Sequence, residues 1–431
     1  MRIFSERACL QRQERAARSF GQDCPLIVIG AGDAIGMPGG ADQTYPFVPH
    51  PEYYWLTGQR RSGGAMAYDP ASGWSHFVRP VTDEERLWEG DPGDVSGADR
   101  QLLKDWLDRR SRRPRVGLGA IVEELAGDAG GAGDETLQQE MRRRLDTVRR
   151  PKGPEEIALV RAAVAATAAG YGRAGAVIRP GRSERDIQIE LEAEMMRAGG
   201  HAPGYGTIVA AGSNAAVLHS TPGPRTAAAD DVVLIDAGAQ IHGYAADVTR
   251  TFAAGDAFGE RQQAIYDIVL GAQRAAIARC RPGVEWREVH RTAAIVIATG
   301  LRDLGILLGN PEELAASGAV ALFFPHGIGH MVGLGVRDVG GRAPGRAETE
   351  RICGARLRLD MPLGESFLVT VEPGIYFVPA LLDNAELREK FREAVAWNEL
   401  SRWRAVGGVR IEDDVLVTAG DPEVLTSAIP K

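Results

Sequence analysis

Leu234-Ile235-Asp236-Ala237-Gly238, followed after a short turn by Tyr244-Ala245-Ala246-Asp247-Val248-Thr249-Arg250, is the stretch on which the fold of this chain turns. The apolar run 232–235 has the composition of a strand, and Asp236 stands at its end. Gly238 and Gly243 supply a turn, and 248–252 runs back. Such a hairpin sets Asp236 and Asp247 close together on adjacent strands. Two like charges so placed repel unless a cation lies between them. Either aspartate alone reads as a turn or surface acid, so the weight of the pair depends on what surrounds it.

Outward from this stretch the chain repeats itself. Val177-Ile178-Arg179-Pro180-Gly181 precedes Ser183-Glu184-Arg185-Asp186-Ile187, and Arg279-Cys280-Arg281-Pro282-Gly283 precedes Glu285-Trp286-Arg287-Glu288-Val289. Each time a long helix ends at Arg-Pro-Gly and a new amphipathic helix begins. Ser183 and Asp186 have capping-box spacing, and Ile187, Leu191 and Met195 form a stripe at i, i+4, i+8. Strand-rich sequence follows each helix pair. The expectation is a duplicated helix–helix–sheet unit whose halves face each other. Its start is marked by Arg149-Arg150-Pro151-Lys152-Gly153-Pro154, with Pro154, Glu155 and Glu156 suited to a helix N-terminus. The glycine-rich run 127–134, GDAGGAGD, reads as the most flexible segment, just before the boundary. Domains of 1–150 and 151–431 are expected.

The first third reads as α/β. The run 26–29 is a strand ended by a turn, and 64–68 with 74–78 flanks Asp69-Pro70-Ala71-Ser72-Gly73 as a hairpin. The GAGDAIG run at 30–36 lacks the Gly-x-Gly-x-x-Gly spacing and the βαβ unit that nucleotide binding requires.

Three further clusters carry chemistry. Phe323-Phe324-Pro325-His326-Gly327-Ile328-Gly329-His330 is too rich in Pro and Gly for a helix, and its glycines point to backbone close to a site. One of the two histidines is expected to bind metal and the other to support it. Val369-Thr370-Val371-Glu372-Pro373-Gly374 ends a β-branched strand in an acid. In Gly407-Gly408-Val409-Arg410-Ile411-Glu412, period-2 alternation puts Val409 and Ile411 on one face and Arg410 and Glu412 on the other. Together Asp236, Asp247, Glu372 and Glu412 supply four negative charges, which two divalent cations balance, and one histidine completes the set. These donors suit Mn²⁺, Co²⁺ or Zn²⁺, with Mn²⁺ favoured by the carboxylates. Cations about 3.5–4 Å apart can bridge a hydroxide and polarise a carbonyl. One half of the repeat donates the aspartates and the other the glutamates, which places the metals between halves.

Composition narrows the alternatives. Of 431 residues, 50 are basic and 58 acidic, a net charge of −8, which disfavours a nucleic-acid partner. The arginine-rich patches 109–115 and 142–150 read as salt-bridged surface. Four scattered cysteines form no Cys-x-x-Cys pair and read as reduced structural thiols. No apolar leader or membrane-length apolar run is present, so a cytoplasmic protein is expected.

These residues resemble the pita-bread metallopeptidase family, which includes methionine aminopeptidase, aminopeptidase P and prolidase; the strong resemblance runs from about 154 to 418. The implied fold class is α+β: a C-terminal pita-bread (creatinase/aminopeptidase) domain with duplicated helix–sheet halves, preceded by a smaller α/β N-terminal domain. The implied metal ligands are Asp236, Asp247, His330, Glu372 and Glu412. Ser213-Asn214-Ala215-Ala216-Val217-Leu218-His219, VEPGIYF at 371–377 and GGVRIEDDV at 407–415 are similar to the proline-specific branch, as are PHPEYYWLTG at 49–58 and DEERLWEG at 83–90.

The resemblance implies hydrolysis of the Xaa-Pro bond of dipeptides or of the N-terminal Xaa-Pro of short peptides, through a hydroxide bridging two metal ions. It assigns catalytic roles to Glu372, as ligand and proton shuttle, and to His219, His326, Arg410 and Arg337. His219, Arg337, Arg356 and Arg358 would bind substrate. It also implies a homodimer. Arg337 departs from the family, which commonly has histidine there; an arginine can stabilise an oxyanion or pair with Asp338 and turn away. The long segment between Phe377 and Gly407 leans the reading toward prolidase, because it could cover the leaving side of the cleft. The alternatives are a metal-free creatinase-like hydrolase, which lacks the full ligand set, and a non-catalytic peptide-binding protein of the same fold.

Overall fold

The computed structural model of the protein describes residues 3–40, 43–90, 96–120, 122 and 135–431. Contacts divide the chain into two units, Met1–Arg149 and Arg150–Lys431. The glycine-rich run 127–134 lies outside the described residues.

The first unit holds β1 (Leu26–Gly30), β2 (Ala65–Asp69), β3 (Gly73–Val78), β4 (Ala98–Asp99) and β5 (Arg115–Gly119) in one sheet of order β4-β3-β2-β1-β5. The β2–β3 hairpin closes at the expected turn, where Asp69 accepts a hydrogen bond from the Ala71 N–H at 2.9 Å. The apolar run after Pro51 is a helix, Pro51–Thr57. The His50 ring caps its start, Pro51 supplies the first-turn φ, and left-handed Gly58 ends it. Arg110 and Arg113 both pair with Asp69, and Arg142 pairs with Glu52.

The second unit contains two antiparallel helix pairs, Pro154–Val177 with Glu184–Arg197 and Glu260–Ala278 with Trp286–Asp303. Their sequences explain their starts. Glu156 accepts the Gly153 N–H at 2.9 Å, and Ser183 Oγ accepts the Asp186 N–H at 3.0 Å while Asp186 reaches back to the Ser183 N–H. Ile187, Leu191 and Met195 are fully buried, each worth roughly 1.5–3 kcal/mol of apolar burial.

The strands are β6 (Ala202–Pro203), β7 (Ile208–Ala211), β8 (Val232–Asp236), β9 (Ala239–Ile241), β10 (Tyr244–Ala245), β11 (Thr249–Ala253), β12 (Gly341–Arg342), β13 (Leu359–Asp360), β14 (Leu368–Val371), β15 (Gly374–Tyr376), β16 (Gly408–Arg410), β17 (Asp413–Leu416) and β18 (Glu423–Val424). Sheet β11-β8-β7 packs with the first helix pair, and β14-β17-β18 with the second. Two bridges, Tyr244 to Leu334 and Thr249 to Glu412, tie one half to the other.

Two expectations are revised here. The hairpin carrying the aspartates is not a simple turn, because β9 and β10 leave it to join β6 in a separate sheet. The segment between Phe377 and Gly407 does not cover a cleft. Its Phe391, Val395, Leu400, Trp403 and Val406 are buried in the second core, and none of its residues lines the cleft described below. Its apolar side chains gain more from that core than from a solvent-facing lid. Among the described residues, no helix is long and apolar enough to cross a membrane.

Candidate metal centre and substrate cleft

The acids reach one place because strands end there. β8 delivers Asp236 opposite Thr249 of β11, and Asp247 lies just before that strand. Gly238 is required by this closure, since a Cβ on it would sit 1.9 Å from the Ala246 carbonyl oxygen. Likewise a Cβ on Gly329 would sit 2.0 Å from the Thr370 oxygen, so only glycine lets the 323–330 run press against β14. That contact is fixed by the Thr370 N–H to the His330 carbonyl, 2.8 Å, and it places His330 beside Glu372.

Asp247, His330 and Glu412 are buried and each offers a ligand atom within 4.8 Å of the others. His330 Nε2 is 3.4 Å from Asp247 and 3.8 Å from Glu372. Its Nδ1–H donates to the Met331 carbonyl at 3.0 Å, so Nε2 is the lone pair turned toward the acids. Asp236, Asp247, His330, Glu372 and Glu412 all line one cleft of about 1080 Å³.

Electrostatically this gathering is costly. Burial, reinforced by Asp247, Glu372 and Asp236, pushes Glu412 well above the usual carboxylate range. Burial and the neighbouring Asp247 raise Asp236 despite Arg410. Burial lifts Glu372 to about 6, with His330 and Arg410 opposing and Asp247 and Asp236 assisting. For His330, burial alone would lower the imidazole, but Asp247 and Glu372 outweigh it and hold it up. Four carboxylates and an aimed imidazole nitrogen are what oxygen-preferring divalent ions require, so the residues fit the metals that the sequence implies.

A hydrogen-bond chain holds the acids in place. Tyr205 Oη donates to Asp236 at 2.7 Å, Arg410 Nη2 donates to its other oxygen at 2.6 Å, and Arg410 Nε donates to Thr249 Oγ1 at 3.0 Å. Thr249 Oγ1–H then donates to Glu412 at 2.7 Å. Arg410 Nη1 also donates to Tyr376 Oη at 2.9 Å, and that hydroxyl donates to His326 Nε2 at 2.9 Å. His326 Nδ1–H donates to the Gly327 carbonyl. Both of its nitrogens are thus occupied, and burial holds it neutral at about 3. It orients Tyr376 rather than presenting a free nitrogen to the cleft.

Asp414 Oδ2 accepts the Asp247 N–H at 3.1 Å. Next to it, Arg250 is buried among Asp413 and the carbonyls of Ile429 and Pro430. The sequence reading missed Tyr205, Thr249, Tyr376 and Asp414. Thr249 and Asp414, two residues past Asp247 and Glu412, and Tyr376, four past Glu372, stood where alternation returns a side chain to the same face, whereas Tyr205 carried no such signal.

His219, Arg337, Arg356 and Arg358 line the same cleft. Arg356 and Arg358 share a face because Leu357 between them is buried. His219 rides on a loop pinned by buried Glu184, which accepts from the Ala211 N–H, the Asn214 amide and the Gly223 N–H at 2.9, 2.8 and 3.1 Å. Burial, then Arg337, Arg410 and Arg358, lower the His219 pKa. Arg337 does not pair with Asp338. That carboxylate is taken by Lys152 at 2.6 Å, in a pair whose side chains are 1% and 4% exposed, and by the Leu334 and Val339 N–H groups.

The profile of metallopeptidase family M24 matches residues 158–419, and that of the aminopeptidase P N-terminal domain matches residues 10–106. A probable Xaa-Pro aminopeptidase of Botryotinia fuckeliana is 32% identical over 400 residues, covering 90% of this chain and 86% of its own. An Xaa-Pro dipeptidase of Xanthomonas campestris is 39% identical over 289 residues, 66% of this chain and 65% of its own. Among solved structures, aminopeptidase PepP of Pseudomonas aeruginosa superposes with a TM-score of 0.79 at 28% identity, covering 100% of this chain and 97% of that one. Aminopeptidase P from E. coli with the inhibitor Pro-Leu gives 0.77 at 27%, covering 99% and 96%. The chain therefore belongs to metallopeptidase family M24, in its aminopeptidase P and prolidase branch, and has that branch's pita-bread fold.

Proposed function

We propose that this chain is a metal-dependent exopeptidase that hydrolyses the peptide bond preceding proline, acting on peptides that begin Xaa-Pro as well as on Xaa-Pro dipeptides. The observation that carries this is the convergence of Asp236, Asp247, His330, Glu372 and Glu412 on one cleft. Those five residues would hold two divalent ions, and Mn²⁺ is the proposed pair, given four carboxylates and one imidazole. The chemistry such ions supply when bound is Lewis acidity, which makes water nucleophilic near neutral pH and polarises a carbonyl.

The chain's own groups do the rest. Glu372, raised toward neutrality, takes the proton of the attacking water and passes it to the proline nitrogen as the bond breaks. Arg410, Tyr376 and Thr249 fix Asp236 and Glu412 so that no reorganisation is needed during reaction. His219, kept neutral, positions the scissile carbonyl. Arg356 and Arg358 receive a carboxylate of the leaving product. Resemblance to this branch also supports a cytoplasmic homodimer.

Two observations favour oligopeptides over dipeptides alone: a cleft of about 1080 Å³, far larger than a dipeptide, and no lining contribution from the segment after Phe377. The dipeptidase reading keeps support from the Xanthomonas campestris relative. Assaying Gly-Pro, Ala-Pro and Ala-Pro-Ala with Mn²⁺ and with chelator tests both. Metal-dependent release of alanine from Ala-Pro-Ala is expected. Cleavage of dipeptides alone selects the dipeptidase, and turnover indifferent to chelator rejects the metal mechanism.

A further inference from the structure

The outer wall of the cleft carries more positive charge than one product carboxylate can use. Asp360 absorbs Arg287 and Arg346, each by hydrogen bonds of 2.6–2.8 Å, and Arg342 lies 3.9 Å from it. Glu350 takes Arg287 as well, and Lys152 occupies Asp338. Among the described residues Arg337, Arg356 and Arg358 make no hydrogen bond or ion pair of their own, and they open on the cleft. Glu348, the one lining acid outside the proposed ligand set, forms no ion pair with them.

Arg337 and Arg358 are close enough that, after burial, the charge of Arg337 is what most depresses Arg358. The inner carboxylates oppose this, but they are the groups set aside for the cations. One carboxylate is satisfied by one bidentate guanidinium. Three unpaired guanidiniums facing one space therefore call for a second anion.

We propose that the cleft selects peptides whose leaving segment carries two negative charges, a free α-carboxylate and an acidic side chain, as in Xaa-Pro-Asp and Xaa-Pro-Glu. This rests on the exopeptidase reading above. It makes Arg337 a specificity determinant: the histidine common at this position would carry less charge at neutral pH, whereas the arginine is always cationic.

The test compares kcat/KM for Ala-Pro-Glu, Ala-Pro-Ala and Ala-Pro-Lys with Mn²⁺ at low ionic strength, in the full chain and in Arg337→Met. The unmodified chain should favour Ala-Pro-Glu over Ala-Pro-Ala by about tenfold and disfavour Ala-Pro-Lys, with the spread shrinking at high salt. In Arg337→Met the Glu-to-Ala ratio should fall below about threefold. The ratio is internal to each preparation, so a partly misfolded variant lowers both rates and leaves it unchanged. Equal rates for the three peptides, or a ratio undiminished in Arg337→Met, overturns this inference while leaving the exopeptidase standing. Failure of all three peptides to react rejects the exopeptidase, and the selectivity with it.

Discussion

The two halves of the metal-binding unit share a plan and differ in what they bury. In the first half, Glu184 opens the second helix and its carboxylate is spent on three donors of the loop that carries His219. In the second half, His290 sits one turn into the corresponding helix and donates from Nε2 to the Ile352 carbonyl, in the loop that leads to Arg356. Its Nδ1 has no partner. One half anchors its loop with a carboxylate, the other with an imidazole. The strands hold the acids in both halves, while the loops carry opposite solutions to the same anchoring problem. The proposed metal ligands thus sit on the repeated frame, and the proposed substrate contacts on what each copy did with its loops.

Breaking the frame should cost most. Asp247→Asn removes a charge from the buried ligand set and should lower turnover by at least about 1000-fold while circular dichroism stays unchanged. Undiminished turnover would reject the ligand assignment. Breaking the first anchor is the next largest. Glu184→Gln replaces an acceptor-only group by one bearing donors, leaving a buried N–H unmatched at about 1–3 kcal/mol. Melting temperature should drop, and KM should rise more than kcat falls, because the His219 loop loosens and the acids do not. An equal fall in kcat with KM unmoved would place Glu184 in the chemistry instead.

The second anchor gives the smallest effect, visible only in acid. Burial holds His290 at about 4, below its ordinary 6.5. The unfolded chain then binds a proton that the folded chain refuses, so stability is whole above pH 6.5 and declines as pH falls toward 4. The loss is at most about 3 kcal/mol. Urea melts of His290→Gln against the parent across that window should show a shallower slope in the variant. Parallel slopes would remove the imidazole from the account.

What could be read from residues alone follows from how local each signal is. The capping box at Ser183, the stripe Ile187–Leu191–Met195 and the alternation of Val409 and Ile411 with Arg410 and Glu412 are short-range patterns, and each folds as read. The acids proposed as ligands could be picked out because Asp236 and Glu372 end strands and Asp247 and Glu412 stand just before them. The departure of β9 and β10 from the aspartate hairpin was not, since it depends on pairing with β6, far back in the chain. The long segment after Phe377 misled for a related reason: its aromatic and acidic composition suits either a lid or a core, and only the neighbouring helices decide. The partner of Asp338 was equally hidden, because Lys152 lies 186 residues away.

The enclosure of Arg250 has a consequence for how the protein comes into being. Its guanidinium lies on the strand that leads from Asp247, and it is satisfied partly by the carbonyl of Pro430, 180 residues downstream. A nascent chain on the ribosome can have both aspartates in hand and still leave that cation bathed in water. The missing acceptors arrive only once residues 429 and 430 have been made, so the enclosure of that guanidinium lags well behind the pairing of the aspartates.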